Sequence, residues 1–165
     1  MPALVHFLLG DVETEVVEYK EAKRNFDFEK LGKYFSALSN EANLRGVECG
    51  WLLFGVTDKR EICGTAYRQE QRRPSVGLRS LKHEIAENLN NGLTFEEIYE
   101  FDVDGKRVVA FQIPPCEFAS PTTWRGIPWS RENESLVQMP RFKLEAICEY
   151  LTCWGPGLLR LGAIM

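Results

Sequence analysis

Trp51-Leu52-Leu53-Phe54-Gly55-Val56 is an unbroken apolar run, with Gly50 before it and Thr57-Asp58-Lys59-Arg60 after it. A short apolar run closed by turn residues predicts a strand buried on both faces, inside a sheet. Thr57 to Arg60 then reads as a turn, and residues 61–67 as the returning strand. Towards the N-terminus, Val17 and Tyr19 point one way and Val16, Glu18 and Lys20 the other, which predicts a second strand. Between the two strands, Phe28, Leu31, Phe35, Leu38 and Ala42 recur at three- and four-residue spacing. That stripe predicts a helix over 28–42, with Asp27 as its N-cap. Residues 40–50 break the pattern and read as a loop. Residues 3–9 suit a short helix.

Towards the C-terminus, residues 68–74 form a polar, basic connection. Ser75 is placed to cap a helix carrying Leu78, Leu81, Ile85 and Leu89 on one face. Asn90-Asn91-Gly92 stops it with residues that tolerate positive φ. Residues 95–103 and 106–113 are two strands joined by Asp104-Gly105, a strong hairpin signal. Residues 122–131 read as a hairpin turning at Arg125-Gly126, and Pro121 and Pro128 put it at an edge. A last helix runs over 141–151. The order β-α-β-β-α-β-β, a hairpin and α predicts an α+β fold: a mixed, mainly antiparallel sheet flanked by helices. One domain is expected over 1–150. The apolar tail 151–165 is expected to pack on the core, contact another chain, or be the remnant of a longer protein.

Composition narrows the function classes. The chain has 165 residues, 44% hydrophobic and 27% charged, as expected of one globular domain. Its net charge of -4 counts against strong non-specific DNA binding but leaves room for a local basic groove. Five cysteines, an odd number without a CxxC pair, argue for reduced thiols and a cytoplasmic location. Residues 1–9 make a poor signal peptide and are too short to span a bilayer, so no membrane partner is expected. No GxxxxGK[ST], GxGxxG after a strand, HExxH or GxSxG occurs, which leaves P-loop, dinucleotide, zincin and serine-hydrolase chemistry unsupported.

Two basic groups stand out. Arg68, Arg72, Arg73, Arg79 and Lys82 fall within fifteen positions, flanked by Gln69 and Gln71. They read either as a phosphate-binding edge or as a solvated loop and helix face. Lys20, Lys23 and Arg24 form a smaller group. Trp124, Trp129 and Arg131 suit stacking on bases or, for Trp124 above all, a place in the core.

Several motifs follow one another in a specific order. They are Glu13, Glu18-Tyr19-Lys20, Ala37-Leu38-Ser39-Asn40, Gly50, Gly55-Val56-Thr57-Asp58 and Ile62-Cys63-Gly64. Asp104-Gly105-Lys106-Arg107-Val108, Pro114-Pro115, Pro121 and Gly126-Ile127-Pro128-Trp129-Ser130-Arg131 come after them. This series resembles the Schlafen AlbA_2 family over about residues 10–140. The resemblance implies a nucleic-acid-binding domain, for DNA or RNA, of the kind found in longer bacterial proteins described as transcriptional regulators, some of them as ATP-binding. Partners would be nucleic acid, a further copy of the chain, or a larger regulator assembly.

In eukaryotic Schlafen relatives a similar fold cleaves structured RNA with three carboxylates and a divalent cation. Carried over by position, the carboxylates are Glu13, Glu18 and Asp58, with Mg²⁺ or Mn²⁺ as cofactor and Lys20 on the scissile phosphate. Five residues apart on a regular strand, Glu13 and Glu18 would face opposite sides, so this endoribonuclease reading requires Glu13 on a turn or bulge. The bland alternative makes Glu18 and Lys20 a solvated strand face and Asp58 a turn residue. Two departures from the family pattern alter loops: the stretch Asn40 to Gly50 is long, and Asn133 stands where glycine is usual. With the acidic net charge, the long loop favours a third reading, an interaction domain without either activity.

Overall fold

β2 (Gly50–Phe54) is buried at every position and lies inside a four-stranded sheet, as its apolar run predicts. The computed structural model describes residues 2–10, 15–69 and 77–149. The sheet order is β1-β2-β4-β3, with β1 (Val17–Lys20), β3 (Glu97–Val103) and β4 (Lys106–Ile113). β1 runs parallel to β2, while β2/β4 and β3/β4 are antiparallel. A second, three-stranded antiparallel sheet follows in the order β5-β6-β7: Thr123–Trp124, Ile127–Glu132 and Ser135–Gln138. The fold is α+β, with mixed and antiparallel sheets and helices against them.

The two faces of the four-stranded sheet carry separate apolar clusters. Val17, Tyr19, Trp51 and Leu53 pack with Val5 and Leu8 of helix α1 (Ala3–Leu9). Leu52, Phe54 and Phe111 pack with Leu31, Phe35 and Leu38 of α2 (Phe28–Arg45), and with Leu81 and Ile85 of α3 (Leu78–Ala86). Val16, just before β1, joins the α1 side rather than the side of Glu18. The Asp27 carboxylate accepts from the Lys30 N–H, as an N-cap does.

α2 also holds the second sheet. Ser36 Oγ donates to the Thr122 carbonyl at 2.7 Å, and the Asn40 amide donates to the Thr122 and Trp129 carbonyls, each at 2.9 Å. Gly32 faces the Trp124 indole so closely that a Cβ there would fall within the ring. Helix α4 (Arg141–Cys148) docks on α2, where Lys143 Nζ lies 2.5 Å from buried Glu41 Oε1.

The structure corrects several expectations. The helix predicted over 28–42 continues to Arg45, with Gly46 (φ +65°) as its left-handed cap, so Asn40 is inside a helix rather than opening a loop. Residues 61–67 form no strand. One bridge joins Val56 to Ile62, and Gly55 (φ +88°) lies so near the Arg107 carbonyl that a side chain would not fit. α3 ends at Ala86, and Leu89 is buried beyond it. β6 is a central strand, not an edge, because it pairs with β5 on one side and with β7, a strand not expected from the sequence, on the other. Pro128 sits at its second position, before the β7 pairing begins. Ser75, the tail 151–165 and the end of the last predicted helix lie outside the described residues.

Candidate nucleic-acid interface

Parallel pairing of β1 with β2 sets Glu18 and Lys20 on the α2 side of the sheet, at its edge. Glu18 is only 5% exposed and Arg131, on β6, only 2%. The Arg131 guanidinium forms an ion pair with Glu18 and donates to the Val17 carbonyl at 2.9 Å. Lys20 Nζ lies 2.6 Å from Glu18 and 4.0 Å from Asp58, and 5.4 Å from the centre of the Tyr34 ring. Glu18, Lys20, Asp58 and Arg131, with Arg60 and Glu134, line a small pocket of about 130 Å³. Glu18 is therefore no solvated strand face: it is a buried carboxylate between two cations. Burial alone would lower the Lys20 pKa, but the hydrogen bond and charge of Glu18 outweigh it and raise the value. Burial, then the Glu18 charge, pushes the Tyr34 phenol up.

The carboxylates proposed for a metal are only partly brought together. Glu18 and Asp58 share the pocket, with Lys20 between them. Glu13 lies outside the described residues. Among the described residues, no group of three or more His, Cys, Asp or Glu is placed to hold a metal ion. Glu18 is already balanced by Lys20 and Arg131, and the Asp58 side chain is largely in solvent. The two described carboxylates by themselves offer fewer free oxygen ligands than Mg²⁺ or Mn²⁺ takes, and Glu13, the third of the set, lies outside the described residues.

The cations read from the sequence also separate. Arg68 makes a bidentate pair with Glu84, both bonds 2.8 Å. That hydrogen bonding raises the Arg68 pKa and holds the Glu84 carboxyl below its ordinary value. Lys82 donates to the Glu96 carbonyl at 2.8 Å and lies 3.6 Å from Glu97. Arg131 is buried, so it is not a surface contact for a phosphate. Lys23 is exposed beside Glu21, and Arg24 and Arg79 are exposed with no ion pair to a described residue. Arg72 and Arg73 lie outside the described residues. Among the described residues, the α3 edge is thus a mixed-charge surface. Trp124 is core, its indole N–H donating to Glu29 at 2.8 Å. Trp129 is half-buried, with Lys33 Nζ 4.6 Å from its ring centre.

A larger cleft opens between residues 24–28 and 66–69. Its volume is about 710 Å³, and its described lining includes Arg24, Arg68 and the rings of Phe26, Phe28 and Tyr67. The loop before α2 places Arg24 at this wall, and the side chain of Thr65, donating to the Ala22 carbonyl at 2.5 Å, fixes the opposite one. Phe26 was not singled out from the sequence, and Phe28 was read only as part of the helix stripe, although their alternation after Lys23-Arg24 is a readable signal of rings beside cations.

The family model described as Schlafen, AlbA_2 matches residues 13–140. No curated protein matches the chain. Among the solved structures that share the fold are these two. The DIP2311 protein from Corynebacterium diphtheriae is similar at 18% identity and a TM-score of 0.54, over 89% of this chain and 28% of that one. The other is the N-terminal domain of a protein from Nitrosomonas europaea described as related to the ATP-dependent DNA helicase RecG. It is 22% identical, with a TM-score of 0.50, over 84% of this chain and 90% of that domain. The chain spans little more than a quarter of the DIP2311 protein, which carries much besides this domain. The match across residues 13–140, on a fold shared with both structures, shows that this chain belongs to the Schlafen AlbA_2 family.

Proposed function

We propose that this domain binds nucleic acid at the cleft between residues 24–28 and 66–69. The observation that carries the reading is the lining of that cleft: an exposed guanidinium, Arg24, beside the rings of Phe26 and Phe28. Cations hold phosphates without regard to sequence, and aromatic faces accept any base. Lys23, exposed and next to Arg24 in the chain, adds a second cation beside this wall. The family membership supports this reading, as does the shared fold of a domain from a RecG-related protein. In this reading the domain serves as the nucleic-acid-holding part of a larger, cytoplasmic regulator. Binding is favoured over RNA cleavage because the Glu18 carboxylate is balanced by Lys20 and Arg131.

Fluorescence anisotropy with labelled single- and double-stranded DNA and RNA tests the proposal. Binding should weaken as salt rises, and Arg24→Ala should flatten the salt dependence by about one unit of slope. Phe28→Ala should weaken binding to single strands more than to duplexes. Absence of binding at low salt, or unchanged binding by Arg24→Ala, would overturn it.

A further inference from the structure

The outer edge of β3 has no partner strand among the described residues. Its phase follows from the hairpin. Asp104 (φ +53°) and Gly105 (φ +76°) are both left-handed, as a two-residue type I′ turn requires. In such a hairpin Val103 and Lys106 are the first hydrogen-bonded pair, and pairs alternate outward from there. With the observed register, Val103, Phe101, Tyr99 and Glu97 bond inward to β4. Ile98, Glu100 and Asp102 then turn their N–H and C=O groups to the open edge. The Ile98 N–H is held by its neighbour's carboxylate, Glu97 Oε1, at 2.9 Å. Among the described residues, the Glu100 and Asp102 backbone groups have no such cover.

An unprotected edge is a template for another strand, and proteins usually blunt one with lysine, proline or a bulge. Here the edge carries acids instead. Residues 96–104 read Glu-Glu-Ile-Tyr-Glu-Phe-Asp-Val-Asp, with five acids and no base. Lys82 and Arg107 offset Glu97 and Glu100 from neighbouring elements, which still leaves the strip acidic. A second copy is a poor occupant, because two-fold pairing centred on Glu100 would set like charges directly opposite one another. Nucleic acid is repelled for the same reason.

We infer that the β3 edge is a docking site for a basic, extended protein segment, which adds as a fifth strand with lysines or arginines alternating along it. Backbone bonds to Glu100 and Asp102 supply the pairing, and the acids select the charge. The site is separate from the Arg24 cleft, so a nucleic-acid-bound domain remains able to hold a protein partner.

The probe is the peptide acetyl-Lys-Val-Lys-Val-Lys-Val-Lys-amide, titrated into the full chain by NMR. Expected are shifts at the Ile98, Glu100 and Asp102 amides, with slowed hydrogen exchange at Glu100 and Asp102. N-methylating alternate peptide amides should weaken binding at least tenfold with the protein unchanged. Glu100→Gln should weaken it severalfold. Equal binding by the N-methylated peptide, or shifts confined to other elements, would overturn the inference. So would Glu100 and Asp102 amides already protected in the free protein, which would show the edge to be occupied by the chain itself. A dimer in sedimentation that Glu100→Pro dissolves would also overturn it, because a second copy would then be the occupant.

Discussion

Glu18 on β1 and Arg131 on β6 form a buried ion pair that ties the two sheets together across 113 positions of sequence. Both belong to family motifs, Glu18-Tyr19-Lys20 near one end and Trp129-Ser130-Arg131 near the other. Their joint presence is thus explained by structure: each is the other's counter-charge in a place water hardly reaches.

Removing Arg131 leaves the buried Glu18 carboxylate with Lys20 on one side and its other oxygen without a counter-charge. Arg131→Met should lower stability by about 3 kcal/mol, whereas Glu18→Leu combined with Arg131→Met should recover much of that loss. Urea unfolding of the single and double variants measures both. If the double variant were less stable than either single one, the pair would be more than mutual compensation for burial.

Asn40 accepts from the Thr122 N–H at 2.8 Å while donating to the Thr122 and Trp129 carbonyls. Asn40→Ala strands these buried groups and should cost about 3 kcal/mol in denaturant unfolding. Asn40→Asp should do no better, because a carboxylate cannot donate to two carbonyls. A loss below about 1 kcal/mol would show that Ser36 and Ser39, whose Oγ lies 2.7 Å from Thr122 Oγ1, suffice to hold the second sheet.

The Arg68–Glu84 pair makes stability depend on acid pH. Glu84 is held below its ordinary value of 4.5, first by the Arg68 hydrogen bond. A depressed carboxyl stabilises the fold above that value, and the contribution is lost as pH falls through the folded-state pKa. Glu84→Gln should therefore be less stable at neutral pH, by under about 1 kcal/mol because Glu84 is part-exposed. The difference should close at pH values well below 4.5. Thermal melts of both proteins across that range check the sign.

The described thiols differ in access. Burial pushes the Cys116 thiol up to about 11, whereas Cys63 is exposed, its pKa raised by partial burial and Glu21. Iodoacetamide at mildly alkaline pH should modify Cys63 in the native protein and leave Cys116 untouched until it unfolds. Peptide mass spectrometry distinguishes the two sites.

Local pattern carried the elements whose environment is uniform. The apolar run of β2, the stripe and cap of α2 and the Asp104-Gly105 hairpin were all legible, because burial on both faces, a 3.6-residue period and a left-handed turn each leave a mark on neighbouring residues. The motif order gave the family for the same reason: spacing along the chain is a property of sequence. Residues 61–67 misled because β-branched and aromatic residues also suit a loop whose backbone is bonded elsewhere, here by Thr65 N–H to the Arg107 carbonyl.

What the sequence could not fix was which charges meet. Glu18 and Lys20 are two positions apart and readable as one face, but the burial of that face depends on Arg131 arriving from the second sheet. Arg68 and Lys82 look alike beside Arg24 in a count of cations. Only the packed structure shows the first two spent on Glu84, Glu96 and Glu97 and the last one open at the cleft. The chain alone determined its family, its α+β class and its strongest strands. The tertiary structure decided the fate of its charges, because ion pairing depends on distances in space that sequence separation does not set.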